Sequence, residues 1–301
     1  MKSVLLIYNP KSGNTTFKNE LDEFLEVFNK MEYDVRICRT LSKLSIDDYI
    51  QNNDMDSFDF VFVAGGDGTV NEVINSLQNK NIDIPIGIIP AGTANDFARY
   101  LNIPFQYDKC FDVLSQMKVE EVDLGKVNDK YFINICCGGL FTNVSQNIDV
   151  ELKNTLGKMA YYIKGAEQLP TFKPTKLKIT TDYETYVDEF ILFVVLNSTG
   201  AGGFDKLSTN ANISDGLFEF IGVRSIKRVT DVPRLLMNLI IGEHLDDKNI
   251  LYLKKDNFGI ECVDPNHLLE ESDIDGESGP QLPLDIKVIH KGLRVISNRN
   301  N

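Results

Sequence analysis

The chain reads as an α/β + β protein, an open α/β half followed by a mainly antiparallel β half. Three observations predict this. Apolar runs alternate with helical stripes over about the first 120 residues, as in an open parallel sheet. From Glu121 onward, short β-type runs follow one another with few helices between them. A chain of 301 residues also lies at the limit of one hydrophobic core, so two domains are expected.

The elements follow in order. Val4-Leu5-Leu6-Ile7-Tyr8 is a buried parallel strand, and Asn9-Pro10-Lys11-Ser12-Gly13 is a turn at its end. Phe17, Leu21, Phe24, Leu25 and Phe28 form a helical stripe. Residues 33–39 are a second strand closing at Thr40, and Ser45 caps a short helix through Ile50. Residues 58–64 are a third strand and 84–89 a fourth, with helices from near Asn95 and over 107–117. Beyond a boundary near 125, residues 122–127 and 130–136 form a hairpin across Asn128-Asp129. Residues 144–168 read as a helix ended by Pro170. Strands are expected over 177–181, 186–196, 217–223, 250–254 and 259–263, with a helix over 229–241. Residues 282–296 read as two more strands before a polar tail.

Composition narrows the function. The net charge of −13, from 31 basic and 44 acidic residues, excludes nucleic acid as a partner. Contact with an anionic membrane would need a local basic patch. One is offered by Lys153, Lys158, Lys164, Lys173, Lys176 and Lys178 against Glu167 alone, with Tyr161, Tyr162 and Phe172 interleaved. An ordinary solvated face reads the same way. The five cysteines (38, 110, 136, 137, 262) are scattered without zinc spacing, which suits a reducing cytosol. No leader precedes the first strand, and the longest apolar run, 190–196, is too short to span a bilayer. A cytoplasmic chain, peripheral to membranes at most, is expected.

Five stretches bear on chemistry. In Gly65-Gly66-Asp67-Gly68-Thr69-Val70-Asn71, an apolar strand ends in a glycine turn and a helix begins. Glycine lets backbone approach a ligand, and a helix start presents free amides to phosphate. An aspartate among phosphates makes sense with a metal ion between them. Pro90-Ala91-Gly92-Thr93-Ala94-Asn95-Asp96 repeats the arrangement, although Thr93 or Asn95 serves equally as a plain cap. Residues 9–13 alone are an ordinary turn. Asp273-Ile274-Asp275-Gly276-Glu277 is either a solvated acidic turn or a loop supplying a general base. Asp215-Gly216-Leu217, after Asn212, is a turn or a set of oxygen ligands. The three histidines share no motif. Together the stretches describe phosphoryl transfer from a bound polyphosphate to a hydroxyl.

The motifs at 9–13, 65–73 and 90–99, with Asp215-Gly216-Leu217 and Asp275-Gly276-Glu277 in order behind them, resemble the diacylglycerol kinase catalytic-domain family. That family includes bacterial soluble diacylglycerol kinases and the sphingosine and ceramide kinases. The resemblance implies an N-terminal Rossmann-like, phosphofructokinase-like α/β domain (1–125, with about 283–301 returning to it). It implies a C-terminal β-rich sandwich domain (126–282) and an active site in the cleft between them. ATP would meet Asn9, Pro10, Lys11, Ser12, Gly13, Thr40, Gly65, Gly66, Asp67, Gly68, Thr69, Val70, Asn71 and Thr93. Asp67, Asp96 and Asp123 match a Mg²⁺ network beside the nucleotide. Asn212, Asp215 and Leu217 match a structural Mg²⁺ site. Glu277 matches the general base, with Asp275 close behind.

The implied reaction is ATP-dependent phosphorylation of diacylglycerol at a membrane surface. Other lipid acceptors are phosphatidylglycerol, a sphingoid base or an undecaprenol-type alcohol. Asn95-Asp96-Phe97-Ala98-Arg99 and the 275–277 loop speak against an NAD kinase, and the intact acidic set against a non-catalytic nucleotide or lipid sensor. Homodimers occur among such relatives, but no self-complementary surface is legible here.

Overall fold

The computed structural model describes residues 2–13, 15–40, 46–139, 174–200, 207–208, 211–225, 234–235, 238, 241–263 and 271–299. The chain divides into two compact units, Met1–Val122 with Lys291–Asn301, and Asp123–His290. The first is α/β and the second β-rich, the fold class expected from the sequence.

In the first unit, β1 (Lys2–Tyr8), β2 (Tyr33–Arg39), β3 (Phe60–Gly65) and β4 (Ile86–Pro90) run parallel in the order β2–β1–β3–β4. Val295, near the end of the chain, pairs parallel with Ile86 beyond β4. The winding reverses between β1 and β3. Loops leaving those strands part there, so the crevice of an open sheet forms at their carboxyl ends.

Aromatic packing sets the core. Phe24 and Phe28 of α1 (Leu21–Lys30) meet Phe62 of β3 at ring separations of 5.5 and 4.7 Å. Phe111 of α5 (Tyr107–Ser115) meets Phe24 at 5.5 Å. Burying each such ring contributes about 1.5–3 kcal/mol. The expected stripe over 17–28 starts late. Phe17 sits in a separate 3₁₀ turn, Phe17–Asn19, held between Tyr8 and Tyr107 at 5.8 Å from each ring. α2 (Ile46–Asn52) packs against α3 (Asp67–Asn79), which buries Val70, Val73, Ile74 and Leu77 as the sequence pattern requires. The short α4 (Asp96–Tyr100) follows β4.

The second unit takes β5 (Val119–Val127) from Asp123 onward, with β6 (Lys130–Phe132), β7 (Ile135–Gly139), β8 (Thr175–Thr180) and β9 (Thr185–Leu196). β10 (Phe218–Arg224), β11 (Ile250–Lys255), β12 (Asn257–Cys262), β13 (Asp273–Ile274), β14 (Glu277–Ser278) and the start of β15 (Leu284–Ile296) complete it. Its strands pair antiparallel in the order β14–β13–β7–β9–β8–β12–β15, and β10 joins β9 to β11. β9 explains the apolar run at 190–196. Phe193 and Val195 enter one buried cluster while Leu192, Val194 and Leu196 enter another, so alternate side chains are buried on both faces.

Two expectations change. The run at 130–136 breaks into β6 and β7, because the amides of Ile133, Asn134 and Ile135 turn to the carboxylate of Asp275. The stretch 282–296 holds one strand, Leu284–Ile296, rather than two. Lys291 takes a left-handed step at φ 54°, and pairing continues past it without a turn. The helix expected at 144–168 and most of that at 229–241 lie outside the described residues.

Candidate active site

Three strand-end turns of the first unit pack directly on one another. After β1, Asn9 accepts from the Lys11 amide through its side chain and from the Ser12 amide through its carbonyl, and Gly13 takes φ +50°. After β3, Gly65 and Gly66 lead into α3. After β4, Ala91 and Gly92 lead to Asn95, itself left-handed at φ 51°. A Cβ on Gly13 would fall 2.5 Å from the Ala91 carbonyl oxygen, and one on Gly92 would overlap Gly66 Cα. Asn95 clamps the third turn, accepting from Gly92 N at 2.8 Å and donating to Gly92 O at 2.9 Å. Asn9 ties the first turn to the second by donating to Thr69 Oγ1 at 3.3 Å. Thr40 lies at the end of β2, its amide donating to the Tyr8 carbonyl.

This packing explains why glycine is needed. A Gly92→Ala chain should lose about 1–3 kcal/mol of stability from the forced overlap. It should also lose roughly 10²-fold in phosphoryl transfer, the scale of a 1 Å misplacement. Thermal unfolding and an ATP turnover assay check the two losses separately.

The first intrahelical bond of α3 runs from Val70 N to Gly66 O. The amides of Asp67, Gly68 and Thr69 therefore have no intrahelical acceptor and face the turn, with the positive end of the helix dipole behind them. Asp67 Oδ1 accepts from Phe97 N at 3.3 Å, at the start of α4. Burial pushes the Asp67 carboxyl above the ordinary aspartate range and the charge of Asp96 adds to the rise, while the amides of Phe97, Asp96 and Asn95 pull the other way. Pro10, Lys11, Ser12 and Thr93 stand partly or fully exposed around these turns. Val70 and Asn71 turn inward, Val70 into the core and Asn71 onto Asn75.

Asp123 belongs to the second unit and is fully buried. Its Oδ2 accepts from Gly216 N at 2.7 Å, and its Oδ1 lies 2.8 Å from His290 Nδ1. Asn212, Asp215 and Leu217 do share one turn, which also receives the Asp123 amide at the Ile213 carbonyl. Asp275 accepts from three amides at 2.7–3.0 Å. Glu277 is exposed, and its carboxylate has no partner among the described residues.

Sequence reading missed the pairing of His290 with Asp123 and that of Lys254 with Glu219. The second had a weak signal. Glu219 interrupts an apolar strand between Phe218 and Phe220, where a buried acid demands a cation. Among the described residues, no group of three or more His, Cys, Asp or Glu is placed to hold a metal ion.

Comparison with known proteins shows the family and the fold. Residues 3–127 match the diacylglycerol kinase catalytic domain, and residues 137–297 match the YegS C-terminal NAD kinase beta sandwich-like domain. The chain belongs to the diacylglycerol kinase family. The diacylglycerol kinase of Bacillus subtilis is 33% identical over 297 residues, covering 98% of this chain and 96% of the relative. That of Staphylococcus carnosus is 32% identical over 299 residues, covering 99% and 96%. A crystal structure of a diacylglycerol kinase from Bacillus anthracis superposes with a TM-score of 0.80 at 28% identity, covering 99% of this chain and 97% of that one. This member is an ATP-dependent lipid kinase. None of its described helices is long and apolar enough to cross a membrane.

Proposed function

We propose that this lipid kinase transfers the γ-phosphoryl group of ATP to the hydroxyl of diacylglycerol, giving phosphatidic acid, with Mg²⁺ as the required metal. The observation that carries the reading is the packing of three strand-end turns around the open amides of α3 and the carboxylate of Asp67. Those amides, with Asn9, Lys11, Ser12, Gly13, Thr40 and Thr93, bind the nucleotide. The near full-length likeness to curated diacylglycerol kinases supports the choice of acceptor.

The donor set fits a divalent cation. Asp67 and Asp96 are hard oxygen donors; burial raises the proton affinity of Asp67 most and the charge of Asp96 adds to it, and a cation would relieve the second of these. Two carboxylates suffice, since Mg²⁺ keeps waters and takes phosphate oxygens as further ligands. When bound, it supplies charge neutralisation on the phosphates. Asp123, whose oxygens meet Gly216 N and His290 Nδ1, also positions the 212–217 turn.

Residues 1–125 with 283–301 serve the nucleotide and 126–282 the lipid. Glu277 accepts the acceptor's hydroxyl proton as the new O–P bond forms, the bond to the leaving ADP oxygen breaks, and Asp275 holds the loop. The enzyme works at the cytoplasmic face of a membrane. Of the basic patch, Lys153, Lys158, Lys164 and Lys173 lie outside the described residues, and Lys178 meets Glu261 at 3.3 Å.

A panel of lipids in mixed micelles with labelled ATP tests the reading. Diacylglycerol should be preferred by at least about tenfold in kcat/KM. Preference for phosphatidylglycerol, a sphingoid base or an undecaprenol-type alcohol would replace the acceptor and keep the kinase. ATP binding without turnover on any lipid would instead favour a sensor.

A further inference from the structure

The donor atoms of the 212–217 turn do not fit the second, structural Mg²⁺ site that the family resemblance implies. Asn212 Oδ1 accepts from Ser214 N at 3.1 Å, and Asp215 Oδ1 accepts from Leu217 N at 3.0 Å. The remaining Asp215 oxygen, Oδ2, lies 2.9 Å from the ammonium of Lys254. The same ammonium lies 3.0 Å from Glu219 Oε1. Glu219 is only 1% exposed, and its other oxygen accepts from the Tyr252 hydroxyl. Glu219 and Lys254 face each other across the β10–β11 pair.

We infer that Lys254 is the resident cation of this turn, so the second unit holds its 212–217 segment without a divalent metal. Mg²⁺ demands a near-octahedral shell of oxygens. An ammonium already hydrogen-bonded to the one side-chain carboxylate of the set opposes such a shell by like-charge repulsion. The ammonium of Lys254 sits between two carboxylates, Asp215 at 2.9 Å and the buried Glu219 at 3.0 Å. Its mechanical role follows from the contacts of the turn. Lys254 anchors Asp215, and the neighbouring Gly216 and Ile213 grip Asp123 from both sides. This inference does not depend on the acceptor proposed above.

The test is thermal unfolding of the full chain, without nucleotide or lipid, in EDTA and in millimolar Mg²⁺. An Asp67→Asn background removes the nucleotide-side acid. In that background the midpoint should be the same in both buffers, within about 1 °C. Lys254→Met should lower the midpoint by roughly 5–10 °C, because Glu219 loses its cation, while Lys254→Arg should retain most of it. A rise of several degrees with Mg²⁺ that disappears on adding Asp215→Asn would overturn the inference. So would a Lys254→Met chain as stable as the parent. A rise unaffected by Asp215→Asn lies elsewhere and leaves the turn metal-free. The buffer comparison holds even where Lys254→Met fails to fold.

Discussion

Replacing Asp67 with asparagine should cripple phosphoryl transfer and yet make the folded chain more stable at neutral pH. The carboxylate is half-buried, lies beside a second acid, and meets no cation among the described residues. Both conditions raise its pKa above 3.8, burial most and Asp96 next. The sign of the linkage follows. With a folded pKa above the unfolded one, the native state binds more protons within that window, so stability falls as pH rises through it. The cost is absent below the unfolded value and complete above the folded value. Asparagine removes it while keeping an oxygen for the Phe97 amide. The unfolding midpoint should therefore rise at neutral pH, and the two chains should converge below the ordinary aspartate pKa.

Activity should move the opposite way. Loss of a charge that organises the transferring phosphoryl group removes roughly 10²–10³-fold in kcat. A variant with full turnover would remove Asp67 from the mechanism. One with unaltered stability across the pH range would remove the strain argument. The combination of gained stability and lost activity is the mark of an acid retained for chemistry.

The first unit was legible because its signals are local. A strand, two glycines, an aspartate and a helical stripe lie within a dozen or so residues, and each reports a backbone requirement. The convergence of those turns was legible too, since every turn leaves the carboxyl end of a parallel strand. What stayed hidden depends on partners distant in the chain. His290 and Asp123 are 167 residues apart, and Asp275 reaches amides about 140 residues away. No periodicity encodes those pairings. The break between β6 and β7 was missed for that reason, since a carboxylate brought from elsewhere takes the amides that a continuous strand would use. Asp123 stands with the acids beside the nucleotide through the family resemblance alone, while its engagement with Gly216 and His290 appears only once the chain is folded.

The two acids of the 275–277 turn should separate cleanly on substitution. Asp275 and Gly276 take φ +52° and +88° as the two central residues between β13 and β14, the Asp-Gly pair that such hairpins favour. Asp275 Oδ1 accepts from Asn134 and Ile135, and Oδ2 accepts from Ile133 at 2.7 Å. Both oxygens of Asp275 are thereby committed to backbone amides of the 133–135 segment. An Asp275→Asn chain keeps the left-handed turn, which asparagine tolerates. Its side-chain NH₂ then opposes one of the amides, leaving a donor unmet at a cost of about 1–3 kcal/mol. Glu277 is exposed, so Glu277→Gln should shift stability by no more than about 0.5 kcal/mol. If its carboxylate takes the hydroxyl proton, kcat should nevertheless fall by about 10²–10⁴-fold. Measuring the melting midpoint and kcat for both chains places each acid. A Glu277→Gln enzyme of ordinary activity, beside an Asp275→Asn enzyme that melts normally but does not turn over, would transfer the role of base to Asp275. The opposite pattern makes Asp275 the anchor of the loop and Glu277 the group that reaches the acceptor hydroxyl.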